Sequence, residues 1–177
     1  MNTAMALSIL PVLADQLEAA NADTHFVNSI RTWRQQLYSA YMNDWGSRSY
    51  PRRMYFAGRN FGENNLYLEP MGFTLQVQDI PLERRKLLYQ QMKQKLYAGE
   101  KIAARQQEAP ELTSDDLDYG SRENGGIWYS LNGPVICGVS TFDKAESMRL
   151  LKQMSLANHS RQFPPILVYL LVISRQH

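Results

Sequence analysis

Apolar and aromatic side chains at Phe26, Ile30, Trp33, Leu37 and Tyr41 follow one another at steps of four, three, four and four residues. Those steps place them on one stripe of an α-helix. Asp23 or Thr24 stands where the cap of that helix belongs. An earlier helix is predicted from about Ala4 to Ala20, interrupted or offset near Pro11, because proline lacks a backbone donor and clashes with the preceding turn. "WGSRSYPRR" then gathers a glycine, two serines and a proline. The chain is expected to leave the helical phase there, which divides it into a helical segment, 1–46, and a core, 52–177, onto whose sheet that segment packs.

Beyond this boundary the period shortens. "RRMYFAG" and "NNLYLEP" read as two short strands of an upstream hairpin, and "MGFTLQVQ" alternates Phe73, Leu75 and Val77 with polar neighbours, as a strand does. A long helix is expected across "DIPLERRKLLYQQMKQKLYAGEKIAARQQ", with Asp79 as cap, Pro81 in its first turn, and Leu88, Met92, Leu96, Gly99 and Ala103 down one face. "EAPELTSDDLDYGSRENGG" carries six carboxylates against one arginine and reads as an exposed acidic loop. Asn132-Gly133, between the apolar runs of "IWYSLNGPVICGV", is a hairpin signal, although Pro134 leaves the turn type open. Ser140 and Asp143 suggest a cap before a helix carrying Ala145, Met148, Leu151 and Met154, and Pro164-Pro165 precede a last strand.

From about Met71 the order is therefore β-α-β-β-α-β, that of a ferredoxin-like split βαβ sandwich, preceded by the hairpin and the N-terminal helices. The fold class expected is α+β. Ile166, Val168 and Leu170 on one face of the last strand, and Leu167, Tyr169 and Leu171 on the other, call for cover on both sides. The N-terminal helices or a second protein subunit would supply it.

Composition adds bounds. A chain of 177 residues, 44% hydrophobic and 20% charged, suits one folded core without low-complexity tracts. The apolar N-terminal run has no basic residue before it and is read as part of the fold, and the apolar run near the C-terminus is too short to span a bilayer. A single cysteine, Cys137, excludes an internal disulfide and is compatible with a reducing compartment, so a cytoplasmic location is expected. Inside its apolar run Cys137 reads as a buried small hydrophobe.

The net charge of +2 is small but unevenly placed. Arg48, Arg52, Arg53 and Arg59 lie among Tyr50, Tyr55 and Phe61, the residue types that pair with phosphates and stack on bases. Arg84, Arg85 and Lys93 belong to a second basic element, the helix after Pro81. The competing account packs Trp33, Tyr38 and Tyr41 inward and pairs the arginines with carboxylates. Arg48, Arg52, Arg53, Tyr55, Arg59, Arg84, Arg85 and Lys93 are thus the candidate nucleic-acid contacts. The strand "PVICGV" does not fit the motif of RNA-recognition modules.

His159, near a helix end, with Tyr129 or Ser160 as a second proton carrier, is the candidate for metal-free RNA cleavage; an ordinary helix-end residue is the alternative. Asp115, Asp116 and Asp118 lack the spacing of a calcium loop, and no phosphate-binding loop, nucleophile elbow or dinucleotide fingerprint occurs. No metal or cofactor is expected. Three functions are carried forward: a non-enzymatic nucleic-acid-associated accessory or regulatory protein, a protein-interaction adaptor or subunit of a larger assembly, and a small metal-independent ribonuclease.

Overall fold

The computed structural model describes residues 1–110, 118–121 and 124–163. Helices dominate: α1 (Asn2–Ala19), α2 (Thr24–Trp45), α3 (Leu68–Gln76), α4 (Leu82–Lys95), α5 (Tyr129–Ser140), α6 (Lys144–Gln153) and α7 (Leu156–Gln162). The only sheet among the described residues is a hairpin of β1 (Met54–Phe56) and β2 (Arg59–Phe61). The expected α+β, ferredoxin-like βαββαβ sandwich is therefore not the fold.

Three of its expected strands fall in two helices, α3 and α5, for the same physical reason. In α3 Leu68, Pro70, Met71, Gly72, Thr74 and Leu75 are buried, and within that set Leu68, Met71, Gly72 and Leu75 follow the spacing of three, one and three that a helix brings to one face. Phe73, Leu75 and Val77 sample that longer pattern at every second residue and imitate strand alternation. In α5, Asn132, Val135, Gly138 and Val139 are buried, so Asn132-Gly133 lies inside a helix that continues past Pro134. The glycines serve helix contact instead of turns. A Cβ on Gly72 would come within 2.8 Å of the Pro134 Cβ and of the Val135 nitrogen, and one on Gly138 within 2.4 Å of the Leu75 Cβ. The α3 and α5 backbones cross directly through these two positions, and the Gln76 side-chain amide donates to the Pro134 carbonyl at 3.0 Å.

Asn132 fixes this pair to the segment after α4. Its side chain accepts from the Ala104 N–H at 2.9 Å and donates to the Ala104 carbonyl at 3.0 Å and the Trp128 carbonyl at 2.9 Å. The Tyr97 hydroxyl donates to the same side-chain oxygen at 3.2 Å. A fully buried amide is tolerated because its donors and acceptor are satisfied. The segment leading there is not helical as expected: α4 ends at its cap residue, Leu96, and Gly99 turns the chain with φ +78°. Residues 105–108 then run beside 66–68, with Leu68 N–H donating to Gln106 O at 2.7 Å and Glu108 N–H to Leu66 O at 2.9 Å.

The hairpin differs from expectation in its second strand. Ala57 and Gly58, at φ +49° and +73°, form a two-residue turn with both central residues left-handed, so "RNF" pairs back immediately. "NNLYLEP" contributes only an isolated bridge from Tyr67 to Gln107 before α3 begins. α1 is continuous through Pro11, losing the one bond that the ring nitrogen cannot donate. Asp23 caps α2 as expected, accepting from the Phe26 N–H at 2.8 Å. Asp143 caps α6 by accepting from Glu146 N–H at 2.9 Å, whereas Ser140 bonds back to Cys137 O. Met148 and Leu151, expected inside, are exposed, and Cys137 is exposed as well.

Leu7 and Trp45 share one core with Leu68, Leu88, Val135 and Leu150, so the N-terminal helices and the rest of the chain pack as one unit. α1 packs on α2 and α3. The expected last strand, from Ile166 to Leu171, and Asp115 and Asp116 of the acidic loop lie outside the described residues. Among the described residues no helix is long and apolar enough to cross a membrane.

Candidate functional site

The α1–α2 helical hairpin has two unlike flanks. On one, Arg31 donates to Glu18 at 2.8 Å and Asp15 at 3.2 Å, and Arg34 pairs with Asp79 while its guanidinium lies 5.2 Å from the Tyr38 ring centroid. Asp15, Arg31, Arg34 and Asp79, with Leu10, Pro11 and Gln35, border a cavity of about 270 Å³. The charges of this flank are paired with one another.

The other flank carries no charge until Asp44. At 100° per residue, Ala40 points about 180° away from Arg31, and Phe26, Trp33 and Leu37 fall within about 60° of Ala40. On α1, Leu13 lies opposite Asp15 by the same rotation, with Ile9 and Leu17 one turn to either side. Exposure is high for large apolar groups here: 59% for Trp33, 49% for Phe26, 50% for Ile9 and 39% for Leu13. No side chain from Asn2 to Ala14 is ionisable, and between Asp23 and Asp44 only His25, Arg31 and Arg34 are, apart from the phenols of Tyr38 and Tyr41.

This stripe runs into an open cleft of about 600 Å³ between the start of α1, the end of α2, the β-hairpin and the start of α3. Leu37, Ala40, Tyr41, Met54 and Pro70 form its apolar walls. Burial pushes the Tyr41 phenol far above its ordinary range, and the hydroxyl shares a 2.6 Å hydrogen bond with Thr74, so it is a fixed neutral group.

Several of the expected nucleic-acid contacts are brought together at the rim. Asp44 receives Arg48 at 3.1 Å and Arg52 at 2.9 Å. Arg52 also donates to Glu63 at 2.8 Å and to the Tyr55 hydroxyl at 2.9 Å. Its guanidinium holds the Glu63 carboxyl below the usual range. Arg53 donates to Glu69 at 3.0 Å and sits 4.3 Å from the Tyr67 ring centroid. Arg59 is exposed at the hairpin tip. The three other candidates lie on α4: Arg84 bonds the Gly46 carbonyl over the Trp45 ring, and Lys93 stands 5.1 Å from the Tyr89 ring centroid. Arg85 is buried, donating to Ile80 O, Leu75 O and the Thr141 hydroxyl.

His159 is half-buried on α7, its ring edge-on to Tyr129 at 6.3 Å and to Phe163 at 5.3 Å between centroids. The Tyr129 hydroxyl is buried without a hydrogen-bond partner, and Ser160 bonds back to Leu156 O at 3.0 Å. Among the described residues no hydrogen bond joins the His159 ring to a second proton carrier, and no cluster of His, Cys, Asp and Glu is arranged to hold a metal ion.

Trp33 and Phe26 are the residues that the helical stripe misassigned. They lie on the edge of the apolar arc, and Val27 and Ile30, each only 3% exposed, occupy its centre. The signal was in the charges: the run free of ionisable groups in α1 and the confinement of both α2 arginines to one side. No protein-family model matches the chain, and no curated protein matches it.

Proposed function

We propose that this protein is a non-enzymatic interaction module, an adaptor or subunit of a larger assembly, that docks a protein partner on the uncharged flank of the α1–α2 hairpin and in the cleft at its end. One observation carries the reading: an apolar stripe with a largely exposed tryptophan, free of charge from Phe26 to Ala40, leads into a cleft of about 600 Å³. Exposed contiguous apolar surface marks interaction sites, and tryptophan is the side chain most enriched where binding energy concentrates. Phe26 to Ala40 spans about 21 Å along the helix, the length of about four turns of a partner helix laid alongside. The lone exposed thiol suits a reducing compartment, and the proposed setting is cytoplasmic.

The arginine-rich rim supports nucleic-acid binding less strongly, since Arg48, Arg52 and Arg53 each have a carboxylate partner within the fold. A phosphate would have to displace Asp44 or Glu69 to engage them.

The test places a photoreactive benzoyl-phenylalanine at position 33 and, separately, at position 31 on the charged flank. Cross-linking of protein from position 33 and not from position 31 is the expected result. Cross-links from position 31 alone, or recovery of oligonucleotide binding at about 50 mM salt that Arg52→Ala and Arg53→Ala abolish, would overturn the reading.

A further inference from the structure

We infer that the partner on this flank is a second copy of the chain, the two α1–α2 hairpins pairing about a two-fold axis into a four-helix arrangement. The inference rests on the reading of the flank as an interaction surface and adds the identity of its occupant.

Charge selects the occupant. In a two-fold contact the same patch meets itself, so any charged side chain near the axis faces its own like charge. The flank bearing Asp15, Glu18, Arg31 and Arg34 could not be used this way without breaking its internal pairs. The flank bearing Ile9, Leu13, Phe26 and Trp33 has no charge to repel.

Geometry points the same way. Two antiparallel helices with an apolar stripe along one flank are half of a four-helix bundle, and stripes at steps of four on α1 and seven then four on α2 present whole turns to the facing pair. Area is sufficient. The exposed fractions of Ile9, Leu13, Phe26 and Trp33 correspond to about 400 Å² of apolar surface. With the half-buried Leu17 and Leu37 and the uncharged Gln16, Ser29 and Gln36 around them, the patch approaches the ~800 Å² per partner of a standard stable interface.

The experiment is light scattering and sedimentation equilibrium of the full chain from about 1 to about 100 μM. The expected result is a mass of twice 20.4 kDa at the upper concentrations. Because the contact is uncharged, its dissociation constant should change less than about twofold between ~0.05 and ~0.5 M NaCl. Trp33→Glu should raise that constant at least about 100-fold, since each dimer carries the change twice. Phe26→Ser should weaken it without introducing a charge, and Arg31→Ala should leave it unaltered. Circular dichroism of each variant establishes that α2 is intact. A chain monomeric to ~100 μM, or a dimer indifferent to both Trp33→Glu and Phe26→Ser, overturns the inference. If the chain is monomeric while the photoreactive group at position 33 captures a different protein, the interaction reading stands and the homodimer is refuted. A monomer that captures nothing refutes both.

Discussion

Replacing Gly138 with alanine adds one methyl group at the crossing of α3 and α5. The new Cβ would lie 2.4 Å from the Leu75 Cβ, 3.1 Å from the Gly72 carbonyl oxygen and 3.2 Å from the Leu75 carbonyl carbon. Carbon atoms in contact prefer about 3.5–4.0 Å, so the helices must separate locally by about 1 Å or more. Over-packing of this kind costs about 1–3 kcal/mol. Alanine's better helix propensity returns up to about 1 kcal/mol, less near a helix end such as this one. The net expectation is a destabilisation of about 1–2 kcal/mol, which in a chain of 177 residues lowers Tm by about 2–8 °C. Thermal and urea unfolding followed at the helical circular-dichroism band measure it. Gly133→Ala is the control in the same helix: its Cβ meets nothing within 4 Å beyond its chain neighbours. The helix-propensity gain there is offset by the restriction that Pro134 imposes on the residue before it, so the change should stay within about 1 kcal/mol. A Gly138→Ala protein as stable as the parent would refute the direct α3–α5 backbone contact.

Three further outcomes follow from the same geometry. Asn132→Leu leaves the Ala104 N–H and carbonyl buried without their partner and should lower unfolding stability by about 2–4 kcal/mol in urea titrations, while an unchanged midpoint would remove the clip from the account. The Glu146 carboxyl is lowered from 4.5 to about 2 by hydrogen bonds from Arg149, with a further one from the Tyr89 hydroxyl at 2.6 Å. A lowered carboxyl contributes stability that is complete above its unfolded value and is lost as pH falls through its folded one. The difference in urea midpoint between the parent and Glu146→Gln should therefore be constant above about pH 5 and shrink from about pH 4.5 towards 2; a difference that does not change there would contradict it. Arg52→Ala removes the shared partner of Asp44 and Glu63 and should make the 53–62 hairpin a faster site of limited proteolysis, read by mass spectrometry, with unchanged cleavage as the contrary result.

The start of α2 was legible in Asp23, which caps it, whereas α4 begins after Pro81 at the cap position and does not use Asp79 as its cap. The sheet misreading has a local cause. Phe73, Leu75 and Val77 satisfy a two-residue alternation, and the distinction from a helix rests on Leu68, Met71 and Gly72, whose burial depends on α5 arriving from over sixty residues away. Asn132-Gly133 is a hairpin dipeptide in isolation, yet Asn132 is drawn into a helix because its side chain bonds Ala104 and Trp128. Tertiary contact overrode local preference at both places. The site was legible only in part. Arg48, Arg52 and Arg53 share one rim, and the carboxylates that pair with them are Asp44, Glu63 and Glu69, none of which belongs to the acidic loop. Trp33 was placed inside because an apolar arc read from sequence has no edge until the facing helix defines one.

Hydroxyl-radical footprinting of the full chain, read by mass spectrometry at about 1 and about 100 μM and with any captured partner, tests the central claim most directly. The account predicts that oxidation of Trp33 and Phe26 falls together as the complex forms, while Tyr38, on the charged flank, and Met148, on α6, react as before. Undiminished oxidation of Trp33 and Phe26, with protection at Tyr55 and the arginine-rich rim instead, would contradict it.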